Sequence, residues 1–451
     1  MLHKWWIELR SSLWFVPSLL VLGAVAGAFA LMEIDIRFGH RLGAAAWRPL
    51  LGASADGARS MLAAIAGSMI TVAGVAFSIT IVTLSLASTQ YTPRILRNFM
   101  RDPANQGVLG VFVGVFTYCL IILRGIRSPS EGQPFVPLLA VFVGVLLALL
   151  GIGCLIFFIH HVATSIQASH ILSAIAAETA GAIDRLFPDE LGEESESRRT
   201  ENTLDLIEWQ PIHAARSGYV QVVNSSTLID LAQKHDLLLR VERGAGDFAV
   251  EAAALICVSR PVEEALAGEL RRAIVIGDFR TVEQDAAFGF RQIVDIAMKA
   301  LSPGVNDTST AVTCLDYLAA LLTRLANRSL VPQFLVQKEP QRVTAKMPSF
   351  AEFVAQSFDE IRLSAEGNVT IILQMLCALD PLLTVTQSTA RRKALLEQAQ
   401  IIAELADRSV PAAYDRARIN EQIAALRTSF DVDGGELAAI PAVRVSHGLE
   451  N

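Results

Sequence analysis

The sequence predicts a membrane protein: four transmembrane α-helices, then a mainly α-helical cytoplasmic half that carries a small β-rich, barrel-sandwich-like module. Three observations predict it. The 451 residues are 52% hydrophobic and only 18% charged, against about 25% charged in a soluble domain. Four apolar runs crowd into the first 170 residues, each near the ~20 residues that a helix needs to cross a bilayer. Charge divides at the same place: residues 1–170 hold 11 Lys/Arg against 6 Asp/Glu, net +5, and residues 171–451 hold 27 against 39, net −12. The acidic second half argues against a nucleic-acid partner, which would need a basic surface.

The expected spans are 13–32, 61–88, 107–123 and 135–159. Lys4 and Arg10 ahead of the first, and "AFA" near its end, give it the look of a signal peptide. Its apolar run exceeds the ~7–15 residues of a signal h-region, so it reads as an uncleaved anchor. No Asp, Glu, Lys or Arg lies inside any of the four runs. That disfavours a carboxylate proton relay or a voltage sensor, which need charge in the membrane. Four spans put both termini on one side. Basic residues nearly balance between the two sets of loops, so the positive-inside rule helps little. The acidic half places both termini in the cytoplasm, the protein being multi-pass in the inner (plasma) membrane.

The second span carries small and hydroxyl residues at Gly67, Thr71, Gly74, Ser78, Ser85 and Ser88. Steps of three, four and seven draw one stripe along a helix. Such a stripe packs helices closely in lipid or lines a wet path. The third span has Gly107, Gly110, Gly114 and Thr117 on one face, a packing signal. Pro93 ends or kinks the second span. Arg94, Arg97 and Arg101 follow at helical spacing as a membrane-proximal basic face, suited to anionic lipid or to an anion-attracting vestibule. The fourth span stays helical in pattern to about 187 and is expected to leave the membrane as a rigid stalk decorated by His160, His161 and His170. Polar anchoring at the interface is the reading for these histidines, since no carboxylate is spaced to join them.

The expected divisions are 1–170 for the spans, 171–211 for the stalk and a charged linker, 212–260 for the β-rich module, 261–430 for a helical domain and 431–451 for a loose tail. Within the module we expect a strand, a helix at 226–235, a strand at "LLLRVE", a turn at "RGAGD" and a strand through "FAVEAAALICV". No Lys occupies the hairpin tip, so no attached cofactor is implied. Helices are expected at 261–275, 281–301, 308–327, 350–379, 389–408 and 411–428.

"ALSPGVNDTSTA", residues 300–311, joins two of them. Ser302-Pro303-Gly304 ends one helix, and Asp307 makes a good N-cap for the next. Asp285, Asp295, Asn306, Asp307 and Thr310 are all expected to crowd this corner, as a structural joint or as a polar-ligand, cation or subunit-contact site. Cys119, Cys154, Cys257, Cys314 and Cys377 each stand alone in apolar runs. With no metal-ligand spacing, no metal and no cofactor are expected.

Four stretches, "STQYTPRIL", "LGVFVGVFTYCLIIL", "SGYVQ" and "AFGFRQIVDIAMKALSPGVNDTSTA", carry a family resemblance, together with the order of four spans before this soluble half. The chain resembles the bacterial membrane proteins called domain of unknown function 2254 over nearly its whole length. It departs at Thr308, where the family often has Pro after Asn-Asp. The resemblance supports the topology and lends no activity.

No GxSxG, P-loop, HExxH or catalytic Cys/His pair is present, so an enzyme is not expected. Two readings stay open. One is an oligomeric channel- or transport-like protein, with the second span lining a path for an inorganic ion. The other is a membrane-anchored sensor or scaffold whose soluble half binds a partner protein or small ligand.

Overall fold

The computed structural model describes residues 14–38, 55–90, 102–127, 135–165, 167–187, 208–330, 342–345 and 347–430. The chain forms two compact units, Met1–His170 and Ile171–Asn451.

Among the described residues the first unit contains four long helices: α1 Phe15–Phe38, α2 Ala55–Gln90, α3 Pro103–Gly125 and α4 Leu138–Ser165. All four are long and apolar enough to cross a membrane. The helices outrun their apolar cores, so Glu33, Asp35, Arg37, Asp56, Arg59 and Arg124 are helical residues outside the charge-free stretches. α3 is the central helix and packs against the other three. Its GxxxG pair makes the contact with α1. A Cβ at Gly110 would stand 2.6 Å from Leu20 Cδ1 and 2.9 Å from Pro17 Cα. Backbone approach of that kind is what small residues permit in lipid.

One end of this bundle is closed by polar groups. Asp35, 8% exposed, accepts from the N–H groups of Leu139 at 3.2 Å and Ala140 at 3.0 Å. A carboxylate there complements both the orphan N–H groups and the positive end of α4. The Tyr118 hydroxyl donates to the Ala140 carbonyl at 2.7 Å, and Arg59 donates to the Ile126 carbonyl at 2.7 Å.

The continuous stalk gives way to two helices. α4 stops at Ser165 and α5 runs Ala168–Leu186. The Thr164 hydroxyl donates to the carbonyls of His160 and His161, competing with the helical ladder at its end. Within the second unit α5 is a packed element. Leu172, Ile175, Thr179 and Ile183 are buried, Gly289 receives the Thr179 side chain, and Arg328 donates to the Phe187 carbonyl at 2.9 Å.

The β-rich part has two sheets. Its elements are β1 Gln210–His213, β2 Gly218–Val223, α6 Ser225–Lys234, β3 Leu239–Val241, β4 Phe248–Ala249, β5 Ala254–Val258, α7 Glu264–Arg272 and β6 Ile274–Gly277, joined by the distant β7 Val343–Ala345. One sheet has the order β1-β5-β3-β7, with β3 and β7 parallel. The other has the order β4-β2-β6. The expected single strand through "FAVEAAALICV" splits in two, because the turn before β5 puts Ala252 at φ +63° and sends β4 and β5 into different sheets. The core of this part includes Leu270, Ile274 and Val343, so it reaches past the expected limit at residue 260. α7 is only nine residues long, and the end of the expected 261–275 helix is strand β6.

The remaining helices are α8 Ala286–Ala300, α9 Thr308–Leu325, α10 Phe350–Ser364, α11 Val369–Val385, α12 Thr389–Ser409 and α13 Ala413–Phe430. The single helix expected over 350–379 breaks at Gly367, which has φ +72°. Asn368 restarts it by accepting from the Ile371 N–H.

Candidate functional site

The stripe on α2 faces outward. Gly67, Thr71, Gly74, Ser78 and Ser85 are all exposed, and nothing lies within 4 Å of a Cβ placed at Gly67 or Gly74. Ser88 is helical, but its side chain lies outside the described residues. A second small-residue stripe does the packing: Ala58, Leu62, Ala66, Met69, Ala73, Ala76 and Thr83 are buried. Gly144 and Gly151 of α4 make room for Leu62 and Met69. The sequence reading missed this face, because Ala at helical spacing looks unremarkable in an apolar run. The Thr71 hydroxyl satisfies itself by donating to the Gly67 carbonyl at 2.8 Å. Arg94, Arg97 and Arg101 lie outside the described residues.

The corner is not one cluster. Asn306 has φ +49°, a left-handed conformation that Asn tolerates better than most residues. Its N–H donates to the Ser302 carbonyl at 2.9 Å, and the Asp307 N–H donates to the Ala300 carbonyl at 2.8 Å. Asp307 caps α9, accepting from the Thr310 N–H at 3.0 Å and the Thr310 hydroxyl at 2.5 Å. Those bonds, the hydroxyl first, hold its carboxyl below the usual carboxylate range.

Asp285 and Asp295 are elsewhere, which corrects the expectation that all five residues gather. Asp285 caps the opposite end of α8, about 24 Å from Leu301 at 1.5 Å per residue. It is buried and accepts from the Phe288 N–H at 3.1 Å and from Arg280 Nη2 at 2.7 Å. Burial pushes its carboxyl up, opposed by the Arg280 guanidinium. Asp295 sits mid-helix, bonded to Arg291 at 2.7 Å, and Arg291 also bonds Glu360. The rise of the expected 281–301 helix already separates them, because residues near in sequence are spread along the length of a straight helix.

The polar group that stands out lies at the other end of the membrane unit. Asp102 is the N-cap of α3, and its Oδ1 accepts from the Ala104 N–H at 2.9 Å. Its Oδ2 meets Nε2 of His161, near the end of α4. The two side chains are 19% and 24% exposed. Phe157 stacks on the His161 ring with centroids 5.5 Å apart, and the Ser165 hydroxyl is 3.4 Å from Nε2. One turn into α3, Asn105 is 5% exposed and Gln106 is 2% exposed. Neither the Oδ1 nor the Nδ2 of Asn105 has a hydrogen-bond partner among the described residues. The sequence treated His161 as an interface anchor, and no local signal pairs it with a carboxylate 59 positions away. Among the described residues, no three His, Cys, Asp or Glu side chains gather to hold a metal ion.

The family model described as predicted membrane protein (DUF2254) matches residues 10–381. The chain belongs to the DUF2254 family. This match takes in both the Asp102–His161 end and the corner, and leaves α12 and α13 outside it. An uncharacterised protein of Mycobacterium tuberculosis strain H37Rv is 30% identical to this DUF2254 chain over 423 residues, covering 91% of the chain and 79% of the relative. An uncharacterised protein of Mycobacterium bovis matches to the same extent. No solved structure matches this DUF2254 protein.

Proposed function

We propose that this membrane protein is an oligomeric channel- or transport-like protein of the inner membrane, with both termini and the second unit in the cytoplasm. Copies assemble through, or around, the outward face of α2. The path would carry an inorganic ion, and the second unit would form its vestibule or gate. One observation carries the reading: among the described residues the Gly67, Thr71, Gly74 and Ser78 face is exposed, while a separate alanine-bearing face is the buried one. Small and hydroxyl residues have no advantage against acyl chains, whereas they favour a second helix or water. Such a path needs no enzymatic chemistry and no cofactor.

The mass of the detergent-solubilised complex is the first test. A closed ring of several copies is expected, and a monomer would remove the central path. Ion flux in proteoliposomes is the second. Thr71→Trp and Ser78→Trp should abolish flux that the wild type supports, and wild-type vesicles that conduct no common ion would end the reading.

A partner-binding scaffold has its own supporting observation in the second unit. Phe248 is exposed and meets Tyr219 edge-on in the three-stranded sheet, and Val250 and Phe279, just past β4 and β6, are also exposed. Affinity capture of one partner, lost on Phe248→Ser, would favour that reading.

A further inference from the structure

We propose that the Asp102–His161 end of the membrane unit is a hydration site. A buried water is held by the Asn105 carboxamide and connected to the imidazole–carboxylate pair, making this end a point of proton exchange with the solvent. Three observations meet there. Asp102 and His161 come from different helices and bond each other. They stand at the N-terminus of a helix of 23 residues, whose first N–H groups have no helical partner. Asn105 is 5% exposed, and both polar atoms of its side chain are unpartnered.

Asn105 is the third residue of α3, counting from Pro103. Helical Cα–Cβ bonds lean toward the N-terminus. The side chain at this position therefore leans toward the capping turn, without making the capping-box bond to the N-cap N–H.

The occupant follows from what a carboxamide requires. It presents two N–H donors and one acceptor oxygen. A metal ion would serve the oxygen and leave the N–H groups bare. An anion would serve the N–H groups and meet the Asp102 carboxylate. Water donates and accepts at once, and buried waters typically settle on such unmet polar groups. Few charged groups among the described residues compete for it. The first residues of α1 (14–21) and the last ten of α2 (81–90) carry no charge. On α4 the neighbouring titratable group is His160, which is exposed. A water there gives His161, the side-chain type suited to proton transfer near neutral pH, a donor and acceptor on its protected side. Transfer needs no other reactant: a proton leaves the water for the Asp102–His161 pair as a unit, and the water regains one from bulk.

The inference does not depend on conduction, and its test reads the water itself. Full-length protein with ¹³C,¹⁵N-labelled Asn and His, in lipid bilayers, is examined by water-edited solid-state NMR. Magnetisation from water is expected to reach the Asn105 carboxamide and the His161 ring. Asn105→Leu should cut transfer to the His161 ring by about twofold or more, one connecting water being lost, while the His160 ring is unchanged. A wild-type carboxamide that receives no magnetisation from water overturns the proposal without any variant. So does a His161 ring that receives the same transfer in Asn105→Leu.

Discussion

The corner at 300–311 and the α3–α4 end of the membrane unit are both rich in polar residues, yet they satisfy them in opposite ways. At the corner the hydrogen bonds that are made are local. Asn306 takes the left-handed turn, Asp307 caps α9 through Thr310, and Ser302 bonds the Lys299 carbonyl at 2.7 Å. At the membrane end the Asp102–His161 pair is made across two helices, and the buried Asn105 amide beside it is left over. The conspicuous sequence is a joint, and the inconspicuous one has unmet capacity. A polar residue points to a ligand when its bonds are unfilled, not when its neighbours in sequence are polar.

That contrast breaks or sharpens at four positions. Asp285→Ala should cost most, about 2–3 kcal/mol. This is below the 3–5 typical of fully buried pairs, because Arg280 keeps a side chain 28% exposed. The loss does not require the ion pair to be stabilising in itself. Burial already raises the Asp285 carboxyl, and the damage comes from leaving Arg280 and the Phe288 N–H without their acceptor. A thermal midpoint equal to wild type would mean that these contacts are incidental.

Asp307→Ala should cost about 1 kcal/mol, the usual worth of an N-cap. Its pH dependence has a definite sign. The folded-state carboxyl is held low, so its contribution is present above the unfolded value near ~3.9 and is lost as pH falls through the folded value. The gap between wild type and variant in chemical denaturation should therefore close at acid pH. A gap that widens there would contradict the assignment.

Asn105→Leu should change stability by less than about 1 kcal/mol, since replacing a polar group satisfied by water alone with an apolar one of similar size is close to neutral. A loss of several kcal/mol in a thermal scan would reveal a protein partner and erase the contrast. Ser78→Leu should have the smallest effect on the isolated chain, within ~0.5 kcal/mol, as expected of a position outside the core. Its effect should fall instead on the mass of the complex. Lower chain stability with unchanged mass would place Ser78 in the chain's own packing.

Much of the fold was legible because its cause is local. A helix in lipid must be long and apolar, so four spans can be read from four runs of residues. Asp307 as a cap, Pro303-Gly304 as a helix end and α6 after Asn224 follow from backbone chemistry within a few residues. The short strands β6 and β7 were hidden for the opposite reason. β7 pairs with β3 from about a hundred residues away, and three residues of Val-Thr-Ala carry no period of their own.

The sequence by itself determined the four long apolar helices, the acidic second half and the capped corner, since hydropathy and capping act over distances that one segment spans. Only the tertiary structure decided which small-residue face of α2 packs inward, because alanine and glycine–serine stripes have the same period and the neighbouring helices select between them. It alone joined Asp102 to His161 and left Asn105 unfilled, because a hydrogen bond between two helices exists only once both are in place.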